Sequence, residues 1–293
     1  MTILCWRRLL PLLLLALVTH SSADEKGGPG TAWKAREIPL VILQTYGGPN
    51  SSIPLSRLLP SELTRGFTRR LFDDEACLEY LRSHRISNIS TEEVLHAYLS
   101  LGSPAHRADL WRYCILYNEG GIYVDIKTAI KAPLTTIFAS RRDKFTWYTV
   151  LGASGGRNRD VFNGLIATPP RNPIMLKEIR FILEHTITGN ISTRSHYHDY
   201  VKHLYSTIRS EYAPDAQNGR IHAGTLENSF SRLILRQERC SKKLESRECQ
   251  AVVTKKKLDR YGLCCQVYRD DKVSHSADRA SIVQIRDAEY PWI

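Results

Sequence analysis

The 293-residue sequence predicts an α/β fold built on a largely parallel sheet, and two observations carry that reading. Strand-like apolar segments alternate with capped helical segments from about residue 40 to 209, the pattern of helices layered on a sheet. Residues 103–126 form the clearest unit, a helix that passes through Gly120-Gly121 into a short strand ending on Asp125. A composition of 42% hydrophobic and 24% charged residues is that of a globular chain able to bury a core.

The elements follow in order. A first strand lies near Leu40–Gln44. Asp73 or Asp74 caps a helix carrying Cys77, Leu78 and Leu81, and Ser90 with Glu93 makes a capping box for a helix through Tyr98. Ser103 suits the N-cap of the next helix, Pro104 its first position and Gly120 its exit. On that helix Asp109 and Arg112 are three apart and share a face with Tyr113 and Leu116. In the strand that follows, alternation sends Ile122, Val124 and Ile126 one way and Tyr123, Asp125 and Lys127 the other. Lys144–Leu151 and Val161–Thr168 read as strands separated by the glycine-rich loop Gly152–Asn158. Asn172-Pro173 opens a helix through about Glu184 with Ile174, Ile179, Ile182 and Leu183 as its buried stripe, and His198–Arg209 is another helix.

The ends are organised differently. Arg7 and Arg8, the apolar run Leu9–Val18 and the small residues Ser21-Ser22-Ala23 make residues 1–23 a secretory signal peptide by layout. The run is shorter than the roughly 20 residues of a spanning helix. An uncleaved signal anchor is the alternative, and only then is the chain expected at a membrane. Residues 24–35 form a linker, 36–235 the main domain and 236–293 a Cys-rich C-terminal part of the same domain. Sequons at Asn50, Asn88 and Asn190 and the cysteine usage suit a luminal or secreted glycoprotein, the Golgi lumen included. Cys240, Cys249, Cys264 and Cys265 crowd the end, where disulfides are favoured over zinc because no Cys-x-x-Cys pair is present. Cys77 and Cys114 fall on helices as buried thiols, unless the fold brings them together.

The formal charge is +11, or +9 without Arg7 and Arg8 (39 basic against 30 acidic residues). Charge alone would admit a nucleic-acid partner, with denser basic patches at Arg65–Arg70, Arg141-Arg142 and Lys255-Lys256-Lys257. The secretory features argue against one and leave a solvated basic face or attraction to an anionic ligand.

A carboxylate at the end of a strand, beside a second carboxylate and an Arg, is where open α/β sheets bind nucleotides. Ala108-Asp109, Arg112-Tyr113, Leu116-Tyr117, Gly120-Gly121-Ile122-Tyr123 and Asp125-Ile126-Lys127 resemble the sugar-nucleotide site of family 32 glycosyltransferases, which carry an Asp-x-Asp motif. That family includes outer-chain-initiating α-1,6-mannosyltransferases and, more distantly, glucosylating bacterial toxins. Ile38-Pro39-Leu40-Val41-Ile42-Leu43-Gln44-Thr45-Tyr46 is similar to its opening strand, and Phe162–Ile166 with Pro169–Pro173 to the segment that closes over the sugar. The likeness covers about residues 38–185. It departs at Lys127, which stands in place of the second Asp, and at Leu43, Tyr46 and Ala108.

The resemblance implies a GT-A-like nucleotide-sugar fold and transfer of a hexose or N-acetylhexosamine from a GDP- or UDP-sugar to a glycan, glycoprotein or glycolipid acceptor, with retention of configuration. On that analogy Asp125 holds sugar or ribose hydroxyls and assists a Mn²⁺ or Mg²⁺ ion, and Asp109 lies by the ribose. Arg112 neutralises phosphate or grips the sugar, Tyr123 packs under the donor and Tyr46 stacks on the base. Gly121 belongs to the donor-site motif, though as a turn residue it is structural in any case. Asn163 contacts a sugar hydroxyl. Each has a plainer counterpart: a strand-end cap for Asp125, a helix ion pair for Asp109 with Arg112, a core ring for Tyr123, a turn for Asn163-Gly164. Gly152, Gly155 and Gly156 lack the spacing of a phosphate loop, and His196, His198 and His203 read as surface residues before they read as a metal site.

Lys127 leaves three readings open. It supplies the positive charge that a departing nucleoside diphosphate needs, making a metal-independent transferase with Asp125, Lys127 and Arg112 as its catalytic set. A divalent ion is held by Asp125 and a distant ligand, with Lys127 turned aside. Or the protein is a catalytically inactive luminal binder of nucleotide sugars or glycans.

Overall fold

The computed structural model describes residues 37–47, 59–126, 128–130, 133–138, 144–152, 159–187, 197–241, 264–268 and 281–285. The leader segment 1–23, the linker 24–35, Lys127, Gly155, Gly156, His196, Cys249 and the sequon residues Asn50 and Asn190 lie outside the described residues.

Strands β1 (Val41–Thr45), β2 (Thr68–Phe72), β3 (Gly121–Val124), β4 (Thr128–Ile130), β5 (Phe145–Leu151), β6 (Val161–Thr168), β7 (Gly224–Glu227), β8 (Ser231–Ser241), β9 (Cys264–Tyr268) and β10 (Ser281–Ile285) form one sheet. The strand order is β2-β1-β3-β6-β5-β8-β9-β10-β4, with β7 paired on β8. The helices are α1 (Asp74–Ser83), α2 (Thr91–Ser100), α3 (Pro104–Asn118), α4 (Leu134–Ile137), α5 (Pro173–Ile187) and α6 (Tyr197–Tyr212).

The α/β class stands, but the sheet is mixed rather than mostly parallel. β1 runs parallel to both β2 and β3, and β5 parallel to β8, whereas β3–β6, β5–β6, β7–β8, β8–β9, β9–β10 and β10–β4 are antiparallel. The reason is local. The segment Gly152–Asp160 between β5 and β6 is too short for a crossover, which takes a dozen residues or more, so the chain folds back as a hairpin. Gly152 N bonding to Asp160 O at 3.1 Å is the neck of that hairpin and not of a phosphate loop.

Local chemistry fixes the helix starts. Asp73 Oδ1 accepts from Ala76 N at 2.9 Å, and Ser90 Oγ from Glu93 N at 3.1 Å. Asn172 Oδ1 accepts from Ile174 N at 2.9 Å at the head of α5. Ser103 makes no side-chain cap bond, and Pro104 alone sets the first turn of α3. Helix α3 is buried around most of its girth, against α1, α2, α5, α6 and β3.

The sheet divides two apolar layers. Leu43, Tyr123, Trp147, Ile166, Leu233 and Leu235 face the layer built with α1, α2, α3, α5 and α6. Ile42, Ile122, Val124, Tyr148, Leu165 and Ile234 face the other, closed by α4 and by Leu59, Leu63 and Phe67. Burial of both faces accounts for the continuous apolar character of β3 and β5. Cys77 and Cys114 are buried free thiols, raised well above the ordinary cysteine range chiefly by desolvation, and so unreactive. In the C-terminal part the backbone register sets Cys240 opposite Cys265 and Ser241 opposite Cys264.

Candidate active site

The strand β3 borders the parallel run β2-β1-β3, with antiparallel β6 on its other side, and the next residue is Asp125. Its amide donates to Gly164 O on β6 at 2.8 Å, and Thr128 N donates back to its carbonyl at 2.8 Å, closing a turn at the carboxyl edge of the sheet. The turn places the carboxylate beside the end of β1. Its side chain is 34% exposed, whereas the groups that support it are almost wholly inside.

Those groups come from α3, β3 and β6. Arg112 is 5% exposed, and its guanidinium is held by α3, β6 and two carboxylates. Nε donates to Ala108 O at 3.2 Å; Nη1 donates to Asn163 O at 2.8 Å and to Asn163 Oδ1 at 3.1 Å. Nη2 faces Asp109 Oδ1 at 3.1 Å and Asp125 Oδ1 at 3.5 Å. The hydrogen bonds of this guanidinium run from Nε and Nη1, and Nη2 makes the two ion pairs. The guanidinium also lies over the Tyr123 ring, 4.4 Å from its centroid. Arg112 therefore acts as the internal counter-ion of two carboxylates.

Asn163 is similarly committed. Its amide nitrogen donates to Asp109 Oδ1 at 2.9 Å and to Tyr113 OH at 3.1 Å, while its oxygen takes Arg112. The expected contact with a sugar hydroxyl gives way to a role as the tie between β6 and α3, because an amide has only two N–H bonds to give. Asp109 is 1% exposed. Desolvation pushes its carboxyl up to about 6, Arg112 and Asn163 pulling it down and Asp125 pushing it further up. Its Oδ2 is buried without a hydrogen-bond partner.

Tyr123 does not lie open beneath a donor. Its ring is fully buried under Arg112, and its hydroxyl donates to Asp125 Oδ1 at 3.0 Å while lying 3.1 Å from Thr45 Oγ1. Thr45 is the group that the motif reading missed; its signal was only its place at the end of β1, one residue before Tyr46. Tyr46 is half-buried just past that strand, its amide bonded to Phe72 O at 2.9 Å. Gly121 sits at the opposite, amino end of β3, roughly 13 Å along the strand from Asp125 at the usual rise per residue. A Cβ there would meet Val41 Cγ1 at 2.6 Å, and its φ is +109°, so its work is the helix-to-strand reversal and not donor contact.

Among the described residues no group of three or more His, Cys, Asp or Glu could hold a metal, and Asp125 is already shared with a guanidinium. The described residues do not fit a divalent ion, and no step is derived through one. Of the histidines, His203 Nδ1 pairs with the buried Glu178 at 2.9 Å and its ring stacks on Phe181, a tie between α6 and α5.

Residues 62–143 match the family model described as the glycosyltransferase sugar-binding region containing DXD motif. No curated protein matches the chain. Among solved structures it is similar to the PaToxG glycosyltransferase, at 17% identity and a TM-score of 0.48 over 64% of this chain and 75% of that one. It is also similar to the ligand-free glycosyltransferase domain from the YGT toxin, at 14% identity and a TM-score of 0.28, covering 54% of this chain and 44% of that one.

Proposed function

We propose that the protein is a nucleotide-sugar-dependent glycosyltransferase of the secretory pathway. It moves a hexose or N-acetylhexosamine from a GDP- or UDP-sugar to a glycan, glycoprotein or glycolipid acceptor, with retention. The observation that carries the reading is one accessible carboxylate, Asp125, held at the carboxyl edge of the sheet by a buried set of Asp109, Arg112, Asn163 and Tyr123. The match of residues 62–143 to a sugar-binding region supports it.

In this reading Asp125 accepts hydrogen bonds from sugar or ribose hydroxyls, and the buried set holds its carboxylate in place before the donor arrives, so that no reorganisation is needed at the moment of reaction. Departure of the nucleoside diphosphate calls for a positive charge. Arg112 already serves as counter-ion to Asp109 and Asp125, and we assign that charge to Lys127. A second reading has an observation of its own: with Arg112 paired to two internal carboxylates and Lys127 in place of a carboxylate, the chain is a luminal binder of nucleotide sugars or glycans that does not turn them over.

The test is nucleoside diphosphate release from a panel of UDP- and GDP-sugars by the protein lacking residues 1–23, with Mn²⁺ and with EDTA. Release that persists in EDTA is expected. Release only with Mn²⁺ contradicts the role of Lys127, and binding without release favours the second reading.

A further inference from the structure

We propose that Thr45 is a positioning residue, acting through the Tyr123 hydroxyl to set which oxygen of Asp125 is presented to the donor; the proposal rests on the glycosyltransferase reading above. β1 and β3 run parallel with Leu43 opposite Tyr123, so Thr45, two residues on, shares the face that carries Tyr123 and Asp125. Thr45 Oγ1 lies 3.1 Å from the Tyr123 hydroxyl, which donates to Asp125 Oδ1 at 3.0 Å. A phenol has a single proton, and that proton goes to the carboxylate. The Thr45 hydroxyl is therefore the donor to the phenol oxygen, and the three groups form a directional relay ending on Oδ1.

Arg112 Nη2 approaches the same oxygen at 3.5 Å, and its guanidinium clamps the Tyr123 ring at 4.4 Å. Oδ1 is thus held from two sides. Oδ2 rests over Gly164, where a Cβ would come within 2.4 Å of it. The carboxylate has one orientation because one oxygen is bonded inward and the other has a glycine to lie on. Thr45 is the outermost member of this arrangement, and its removal leaves Asp125, Arg112 and Tyr123 chemically unchanged. Loss of the relay alters how the carboxylate is aimed more than whether the donor binds, so its effect falls on kcat rather than KM.

A double-mutant cycle tests this, with Asp125→Asn measured alongside. Thr45→Val is expected to lower kcat by about tenfold with KM changed less than about threefold, the scale of one lost hydrogen bond in a part-buried chain. Thr45→Ser restores the rate. In a Tyr123→Phe background Thr45→Val adds nothing further, since Thr45 acts through that hydroxyl. The proposal is overturned if Thr45→Val matches wild type while Asp125→Asn is inactive, or if the Thr45→Val and Tyr123→Phe effects multiply. Absence of turnover in the wild type would strike the glycosyltransferase reading instead. Crystal structures of wild type and Thr45→Val then decide the relay: a displaced Asp125 carboxylate supports it, and an unmoved one overturns it.

Discussion

Gly164 on β6 leaves no room for a side chain, since a Cβ there would sit 2.4 Å from Asp125 Oδ2 and 2.4 Å from Phe162 Cζ. Phe162 can swing aside, but Asp125 is held from behind by Tyr123 and Arg112. Gly164→Ala is therefore expected to lower turnover at least tenfold while the circular dichroism spectrum stays that of wild type, a misplacement effect at a reacting centre. A variant with wild-type kcat would show that the Asp125 orientation has no catalytic weight. At this scale the sequence disclosed the identities but not the assignments. Spacing put Asp109 and Arg112 on one face and alternation sent Tyr123 with Asp125. Which N–H bonds are already spent depends on β6 reaching α3 across residues about 50 apart in sequence, as in the Arg112–Asn163 pair, and no local pattern records that.

Helix α3 carries a buried carboxylate and a buried guanidinium among mostly apolar buried neighbours. The carboxyl of Asp109 is raised from 3.8 to about 6, first by desolvation, so the folded state holds a proton that the unfolded chain has already released in that window. The stability that this group contributes is fully present below about pH 4 and is lost as pH rises through about 6. Chemical denaturation across that range should find wild type losing stability relative to Asp109→Asn as pH rises, and parallel curves for the two proteins would contradict it. Elements with their own start signals were legible, as α1, α2 and α5 show with Asp73, Ser90 and Asn172 at their caps. The basic strand β2 was not, since Arg69 and Arg70 disguise its pairing with β1. The sheet is mixed where a largely parallel one is expected because alternation gives a strand but not its partner or direction.

In the molecule as a whole, the mixed sheet brings the ends of β1 and β3 together and lays β6 beside them, so that one carboxylate stands at the edge and its support is interior. The two apolar layers on either side hold this edge rigid, which suits a site whose groups act by fixed geometry. The fold class and the central unit were legible because the helix, the Gly-Gly reversal and the strand are contiguous in sequence. Thr45 was not, because its partnership with Tyr123 spans 78 positions and exists only once β1 and β3 pair.

The most direct test of the central claim is nucleoside diphosphate release by Asp125→Asn, assayed beside wild type on whichever sugar donor wild type accepts. The account predicts that turnover is abolished while circular dichroism and thermal unfolding report a folded protein. A folded Asp125→Asn with wild-type turnover would contradict it and move the active centre away from the carboxyl end of β3.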